Sequence, residues 1–226
     1  MGDPVLLLHG LGRTGLSMVP LKRALARAGF QPRIVDYPSR KRSIGRLVES
    51  VVAPPVDAWL AEGAERVHFV THSLGGVLVR ALAAARYDAG TPLPPGSRAV
   101  MLAPPHAGSE VADALRQREP FRSVLGPALQ ELGTDDASVP NQLGPMRGIE
   151  AGVLAGTRRI LPFGIFFDGP HDGLVSVASA HAPDGLADQG TVAASHALVM
   201  MSPAVIAATI QFLETGAFGT EAGPDG

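Results

Sequence analysis

Ser73 stands where an apolar, strand-like run gives way to a helical pattern within residues 67–78. The strand-like run ends at Thr71 and the helical pattern begins at Leu74, so the serine lies at the corner between them. A sharp strand-to-helix turn lifts a serine hydroxyl out of the backbone, where it can attack a substrate. Its neighbours must be small, and Gly75 meets this need. Ser73 is therefore a candidate nucleophile, although Thr71 replaces the first glycine of the pattern G-x-S-x-G.

Taken alone, the same residues also fit a buried strand followed by a helix that Ser73 merely caps. A catalytic serine needs a histidine base, and the base needs a carboxylate that holds its ring. Among the seven histidines, His196 is favoured as the base because it directly follows the last predicted strand and precedes the last predicted helix. Asp172 and Asp168 compete for the acid. Asp172 is favoured because it leads directly into an apolar element, whereas Asp168 fits a turn.

The order Ser73, Asp172, His196 along the chain is the order found in one class of hydrolases and differs from that of the main protease classes. Such chemistry also needs backbone N–H groups that stabilise an oxyanion. The N–H of Leu74 is one predicted donor, and the N–H of Leu11, in the loop after the first strand, is the other. Four neighbours are predicted to support these turns: His9, Gly10, His72 and Gly75.

The elements that position these residues alternate along the chain, which predicts a parallel α/β sheet covered by helices. In such sheets the loops at the carboxyl ends of the strands form the ligand site. The predicted strands lie near residues 5–8, 33–36, 67–71, 98–102, 149–155 and 191–193. The predicted helices lie near residues 17–28, 44–61, 74–85, 109–118, 121–131, 175–180 and 203–213.

Residues 1–217 are predicted to form one domain, and residues 218–226 a flexible tail. No strand pattern is present in residues 106–148, between the fourth and fifth predicted strands. We call this segment the excursion, and its length is typical of a cap or lid over a site. Its apolar residues suit either an acyl-chain pocket or ordinary packing. The same two interpretations apply to Phe163, Ile165, Phe166 and Phe167.

Composition limits the function further. The chain has 226 residues, of which 46% are hydrophobic, and a net charge of -2 without a basic stripe. Such a chain is long enough for a sizeable core, and its charge argues against a nucleic-acid partner. The absence of cysteine excludes disulfides, thiolate metal sites and a cysteine nucleophile. No two histidines stand four residues apart on a predicted helix, so a metal site is not predicted.

The first apolar run, residues 5–8, is too short for a signal peptide and follows no basic residue. No run reaches the roughly 18 apolar residues that a membrane span requires. The chain as it stands is therefore expected to be cytoplasmic. A secreted mature form stays open, because a processed protein would show the same pattern.

Four segments together resemble bacterial α/β-hydrolases of the lipase/esterase group, including triacylglycerol lipase-like sequences. They are residues 8–12, 70–76, 103–109 and 171–177. The likeness runs from about residue 4 to residue 217. It implies a small three-layer α/β-hydrolase fold with about six mostly parallel strands and a helical cap. It also implies ester hydrolysis without a cofactor.

Position by position, the resemblance makes Ser73 the nucleophile, Asp172 the acid and His196 the base, with Leu11 and Leu74 as oxyanion donors. The leading hypothesis is therefore a serine hydrolase that cleaves carboxylic esters through an acyl-enzyme. A thioesterase or a phospholipase acyl hydrolase would use the same chemistry, and a hydrolase-fold binding protein without activity is the third alternative. The expected partner is a small ester or lipid, with transient contact to a lipid surface as an option. The sequence indicates no oligomeric state.

Overall fold

The computed structural model describes residues 2–159 and 163–219. Within them six strands form one sheet in the order β2-β1-β3-β4-β5-β6, and every neighbouring pair is parallel. The predicted parallel sheet of about six strands is thereby confirmed. The strands are β1 (Pro4–Leu8), β2 (Gln31–Val35), β3 (His68–His72), β4 (Arg98–Leu102), β5 (Glu150–Gly156) and β6 (Asp188–Val192).

Helices cover both faces of the sheet. They are α1 (Val19–Arg27), α2 (Ile44–Leu47), α3 (Ala53–Ala61), α4 (Leu74–Asp88), α5 (Glu110–Arg116), α6 (Phe121–Gln130), α7 (Val139–Gln142), α8 (Val177–Ala180) and α9 (Pro203–Thr215). A wide π-helical turn, Val48–Val52, joins α2 to α3. The proline pair at 54–55 stands in the first turn of α3, where a missing N–H is tolerated.

Alternate residues of the buried strand β1 point to opposite faces and join two separate cores. Leu6 and Leu8 pack with the side that carries α2, α3 and α4. Val5 and Leu7 pack with α1 and α9 on the other side. A strand that is apolar at every position is what burial on both faces requires. The three-layer arrangement that the sequence predicted is present.

The chain end packs closely up to Phe218, which is buried and lies 4.7 Å from Phe212, ring centre to ring centre. The predicted tail at residues 218–226 therefore begins with a residue of the second core. Residues 220–226 lie outside the described residues. None of the helices described is both long and apolar enough to span a membrane.

Residues 106–148 contain α5, α6 and α7 and contribute no strand to the sheet. Ser109 begins α5 by accepting a hydrogen bond from the N–H of Ala112 at 3.2 Å. Leu129 and Leu132 are buried and belong to the same core as α4. The excursion is thus packed onto the body of the domain at its α6 end, and its movement as a lid stays a prediction.

Helix α4 begins in direct contact with β1. A Cβ atom at Gly75 would lie 2.9 Å from the carbonyl oxygen of Leu8 and 3.0 Å from its Cβ. Both atoms belong to Leu8, which is fully buried in the central part of the sheet and has little room to move. The close approach of α4 to β1 therefore requires glycine at this position.

We expect Gly75→Ala to lower the free energy of unfolding by about 1–3 kcal/mol, because the added methyl group overpacks a rigid contact. Gly45→Ala is the matched control, since Gly45 lies in α2 and has no atom within 4 Å of an added Cβ. It should raise the free energy of unfolding by about 0.5–1 kcal/mol through helix propensity. Urea denaturation measures both. Equal effects of the two substitutions would contradict the contact.

Candidate active site

Ser73 connects the last residue of β3 to the first residue of α4 with a strained backbone. Its φ is 53° and its ψ is -120°. Among the described non-glycine residues, Ala103 is the only other one with a positive φ. Such a conformation costs about 1–3 kcal/mol and persists only where the surroundings enforce it. Here the Ser73 N–H donates to the carbonyl oxygen of Leu102 at 2.9 Å, which ties the turn to β4.

Two glycines make room around this turn. A Cβ at Gly10 would lie 3.0 Å from the Cβ of Ser73, so the loop after β1 passes directly beside the serine. A Cβ at Gly76 would lie 3.4 Å from the Oγ1 of Thr71 and 2.8 Å from the Cβ of Pro104. The space for Thr71, which replaces a glycine of the usual pattern, is thus available because residue 76 has no side chain.

Asp172 and His196 form a buried hydrogen-bonded pair. The Nδ1 of His196 lies 2.7 Å from the Oδ2 of Asp172. The other carboxylate oxygen accepts the N–H groups of Leu174 at 3.0 Å and Val175 at 2.8 Å. The Asp172 carbonyl oxygen also accepts the N–H of His196 at 3.1 Å. The ring is therefore held through Nδ1, which leaves its Nε2 for another group, whereas Asp168 is exposed.

His72 ties the loop of His196 to the turn at Ser73. Its Nε2 lies 2.9 Å from the carbonyl oxygen of His196, and the two ring centres are 4.8 Å apart. Burial, followed by the charges of His196 and Arg13, holds the pKa of His72 well below the ordinary histidine value. A neutral His72 that donates from Nε2 adds no positive charge beside His196.

His9 fixes the loop after β1 to the end of β2. Its Nε2 lies 2.9 Å from the Oδ1 of Asp36, and its ring stacks on Tyr37 with 4.1 Å between centres. Leu11 then lines the cavity that contains Ser73. Leu74 is fully buried, and its N–H lies in the first turn of α4, where backbone donors have no helical acceptor.

Several of the predicted site residues line one cavity of about 220 Å³, among them Ser73, His72 and His196. Asp172 reaches it only through His196. The rest of the lining is mainly apolar and comes largely from the excursion: Val111, Ala112, Leu115, Leu125, Leu129 and Leu132.

In the aromatic segment at residues 163–167, the side chains that the structure describes, those of residues 165–167, are not among the residues that line this cavity. The side chain of Ile165 is 87% exposed, and Phe167 stacks on His171 at 4.1 Å between ring centres. The side chain of Phe163 lies outside the described residues. The described part of this segment therefore does not form the pocket wall that was one of its two interpretations.

No protein-family model and no curated sequence matches the chain, but solved structures do. The mature lipase BlEst2 of Bacillus licheniformis aligns with a TM-score of 0.68 over 88% of this chain and 86% of its own, at 18% identity. Phospholipase PlaB of Legionella pneumophila gives 0.74 over 96% of this chain and 60% of its own, at 17% identity. A monoacylglycerol lipase of Paleococcus ferrophilus gives 0.60 over 94% and 96%, at 17% identity.

The chain has the α/β-hydrolase fold. In this fold the nucleophile occupies a strained turn between a strand and a helix, and Ser73 occupies that turn here. Among the described residues no group of three or more histidine, aspartate or glutamate side chains is arranged to hold a metal ion.

Arg80 is a structural residue of this hydrolase fold that sequence reasoning missed. It is buried in α4, and its guanidinium donates to the carbonyl oxygen of His106 at 2.9 Å and to that of Gly144. It thereby connects both ends of the excursion to the helix behind Ser73. Burial, with the nearby charge of Arg147, lowers the pKa of Arg80 to about 10. The available signal was an arginine between Val79 and Ala81, within the apolar run of α4.

His106 lies at the start of the excursion, with its Nε2 3.2 Å from the sulfur of Met101 and its Nδ1 unpaired. Burial, followed by the charge of Arg80, holds the pKa of His106 well below the ordinary value. Unfolding exposes the ring, which then takes up a proton below about pH 6.5. The unfolded state therefore binds more protons than the native state below that pH, and the free energy of unfolding must fall with the pH.

We expect His106→Gln to reduce this acid sensitivity. Between pH 6.5 and 5 its free energy of unfolding should fall less steeply than that of the wild type, by up to about 1.4 kcal/mol per pH unit. Urea titrations at three pH values measure the slope. His72 and His171 are depressed in the same direction, so some slope should remain. Parallel slopes for variant and wild type would show that native His106 is protonated.

Proposed function

We propose that this protein is a serine hydrolase that cleaves carboxylic esters through an acyl-enzyme on Ser73. The observation that carries the proposal is the Asp172–His196 hydrogen bond of 2.7 Å beside the cavity that also contains the strained Ser73. A carboxylate that holds one imidazole nitrogen leaves the other free to act as a base on a serine. The lipase and phospholipase neighbours support the fold of such an enzyme.

In the proposed reaction, the Nε2 of His196 accepts the proton of the Ser73 hydroxyl while Oγ bonds to the ester carbonyl carbon. Asp172 stabilises the imidazolium through the bond to Nδ1. The C–O bond to the alcohol then breaks, and the alcohol leaves with the proton from Nε2. Water, activated by the same nitrogen, attacks the acyl-enzyme and releases the acid together with free Ser73.

The tetrahedral intermediate carries a negative oxygen that needs donors. We assign this role to the N–H of Leu74 and the N–H of Leu11. The first belongs to the helix turn directly after the nucleophile, and the second to the loop that His9 holds against Asp36. Each such donor typically contributes about 10²–10³ in rate.

The apolar lining supplied by α5 and α6 suits the acyl chain of the substrate. Each methylene that it buries contributes about 0.8 kcal/mol to binding. Thioesters and phospholipids would transfer the same acyl group to Ser73. The acyl-chain pocket therefore does not distinguish an esterase from a thioesterase or a phospholipase. Parallel assays of p-nitrophenyl octanoate, octanoyl-coenzyme A and a dioctanoyl phosphatidylcholine separate them by their kcat/KM values.

We expect the wild type to hydrolyse p-nitrophenyl esters and Asp172→Asn to lose about four orders of magnitude in kcat, because the His196 ring loses its carboxylate. Asp168→Asn is the matched control, with the same chemical change at an exposed residue, and it should keep most of the activity. Initial rates at saturating substrate measure both.

If Asp168→Asn lost most of its kcat and Asp172→Asn stayed active, Asp168 would be the acid that holds His196, and Asp172 would not. A wild type that is inactive on every ester and thioester tested would favour the hydrolase-fold binding protein over the enzyme.

A further inference from the structure

A second cavity, of about 440 Å³, is formed by the loops that follow β1 and β2. It lies beside the first cavity, the one that Ser73 lines. Arg13 lines both cavities. Gly12 lines the second cavity, and a Cβ added there would lie 4.0 Å from Arg40 and also 4.0 Å from Leu125, which lines the first cavity. A molecule attacked at Ser73 could therefore extend past Arg13 from the first cavity into the second.

The second cavity carries uncompensated positive charge in a chain whose net charge is -2. Arg13, Arg40 and Lys41 line it together with one carboxylate, Asp36. That carboxylate is already engaged, since its Oδ1 lies 2.9 Å from the Nε2 of His9 and accepts the N–H of Gly15 at 3.1 Å.

Ion pairing is one way to compare the three cations of this cavity with the other arginines of the domain. Among the described residues, none of the three has a carboxylate within ion-pair distance, whereas six other arginines do: Arg46, Arg66, Arg86, Arg98, Arg116 and Arg147. An anion that entered the cavity would thus meet cations that no protein group neutralises.

The loops that form this cavity are connected to each other. The N–H of Gly12 donates to the Oγ of Ser39 at 3.0 Å, which joins the loop after β1 to the loop after β2. The N–H of Lys41 donates to the carbonyl oxygen of Pro38 at 2.9 Å. The backbone that carries Arg40 and Lys41 is therefore tied to the loop that leads from β1 past Ser73.

We propose that the second cavity binds a phosphate group on the alcohol portion of the ester, while the acyl chain occupies the first cavity. The inference rests on the proposed function, because an ester attacked at Ser73 connects the two cavities. Guanidinium groups bind phosphate through paired, charge-assisted hydrogen bonds, and Lys41 adds a point charge. The substrate class is an acylated alcohol phosphate, and hydrolysis releases a fatty acid and the alcohol phosphate.

The test compares 1-octanoylglycerol with 1-octanoylglycerol 3-phosphate, which differ only in the phosphate group. We expect the wild type to prefer the phosphate ester by about tenfold or more in kcat/KM, and Arg40→Gln to reduce that ratio by about tenfold. Arg42→Gln is the matched control. It lies in the same loop, but its guanidinium donates to Ser50 at 2.7 Å and it does not line this cavity, so the ratio should not change.

A wild type that hydrolyses both esters equally well would overturn the phosphate site and leave the proposed ester hydrolase intact. An equal fall of the ratio in both variants would also overturn it, because the effect would then be one of overall charge. Hydrolysis of neither ester would contradict the proposed function instead.

Calorimetry with Ser73→Ala separates the phosphate site from catalysis. We expect glycerol 3-phosphate to bind this variant and to bind at least tenfold more weakly when Arg40→Gln is added. Absence of binding overturns the proposal. Equal affinity for inorganic phosphate and glycerol 3-phosphate would also overturn it, since the cavity would then bind free anions only.

Discussion

The site depends on a backbone conformation that serine does not adopt by itself. At a φ of 53° the chain turns from β3 into α4 within one residue. Close packing around Ser73 enforces this turn. The strand β1 and the loop after it approach the turn at glycine positions, and β4 accepts a backbone hydrogen bond from Ser73. The same packing that makes the turn possible leaves the Ser73 side chain at the cavity. The packing around Ser73 thus offsets the strain of its backbone.

The loop of His196 is held against this corner by two different attachments. Asp172 binds the ring and the backbone N–H of His196, and His72 binds its carbonyl group. One attachment comes from the loop after β5, and the other from the residue before Ser73. The position of His196 relative to Ser73 therefore depends on the sheet itself, since β3, β5 and β6 lead into these loops. A neutral His72 makes this contact without repelling a protonated His196.

Much of the architecture could be predicted from the sequence because β1, β3 and β4 are buried over at least four of their five residues and end at recognisable turns. The sequence pattern predicts the sixth strand near residues 191–193, whereas β6 begins at Asp188, because residues 188–190 are not apolar. The aromatic segment near residue 165 suggested a cavity wall, but an apolar pattern does not reveal which way a loop faces. Arg80 and the cavity of Arg13, Arg40 and Lys41 depend on loops brought together by folding, which no local pattern encodes.

The most direct test of the account is to react the protein with a fluorophosphonate and locate the adduct by peptide mass spectrometry. We expect one adduct, on Ser73, and none in Ser73→Ala, because only a serine activated by His196 attacks phosphorus at a useful rate. Labelling of Ser73→Ala at the wild-type rate, or an adduct on another residue of the wild type, would contradict it.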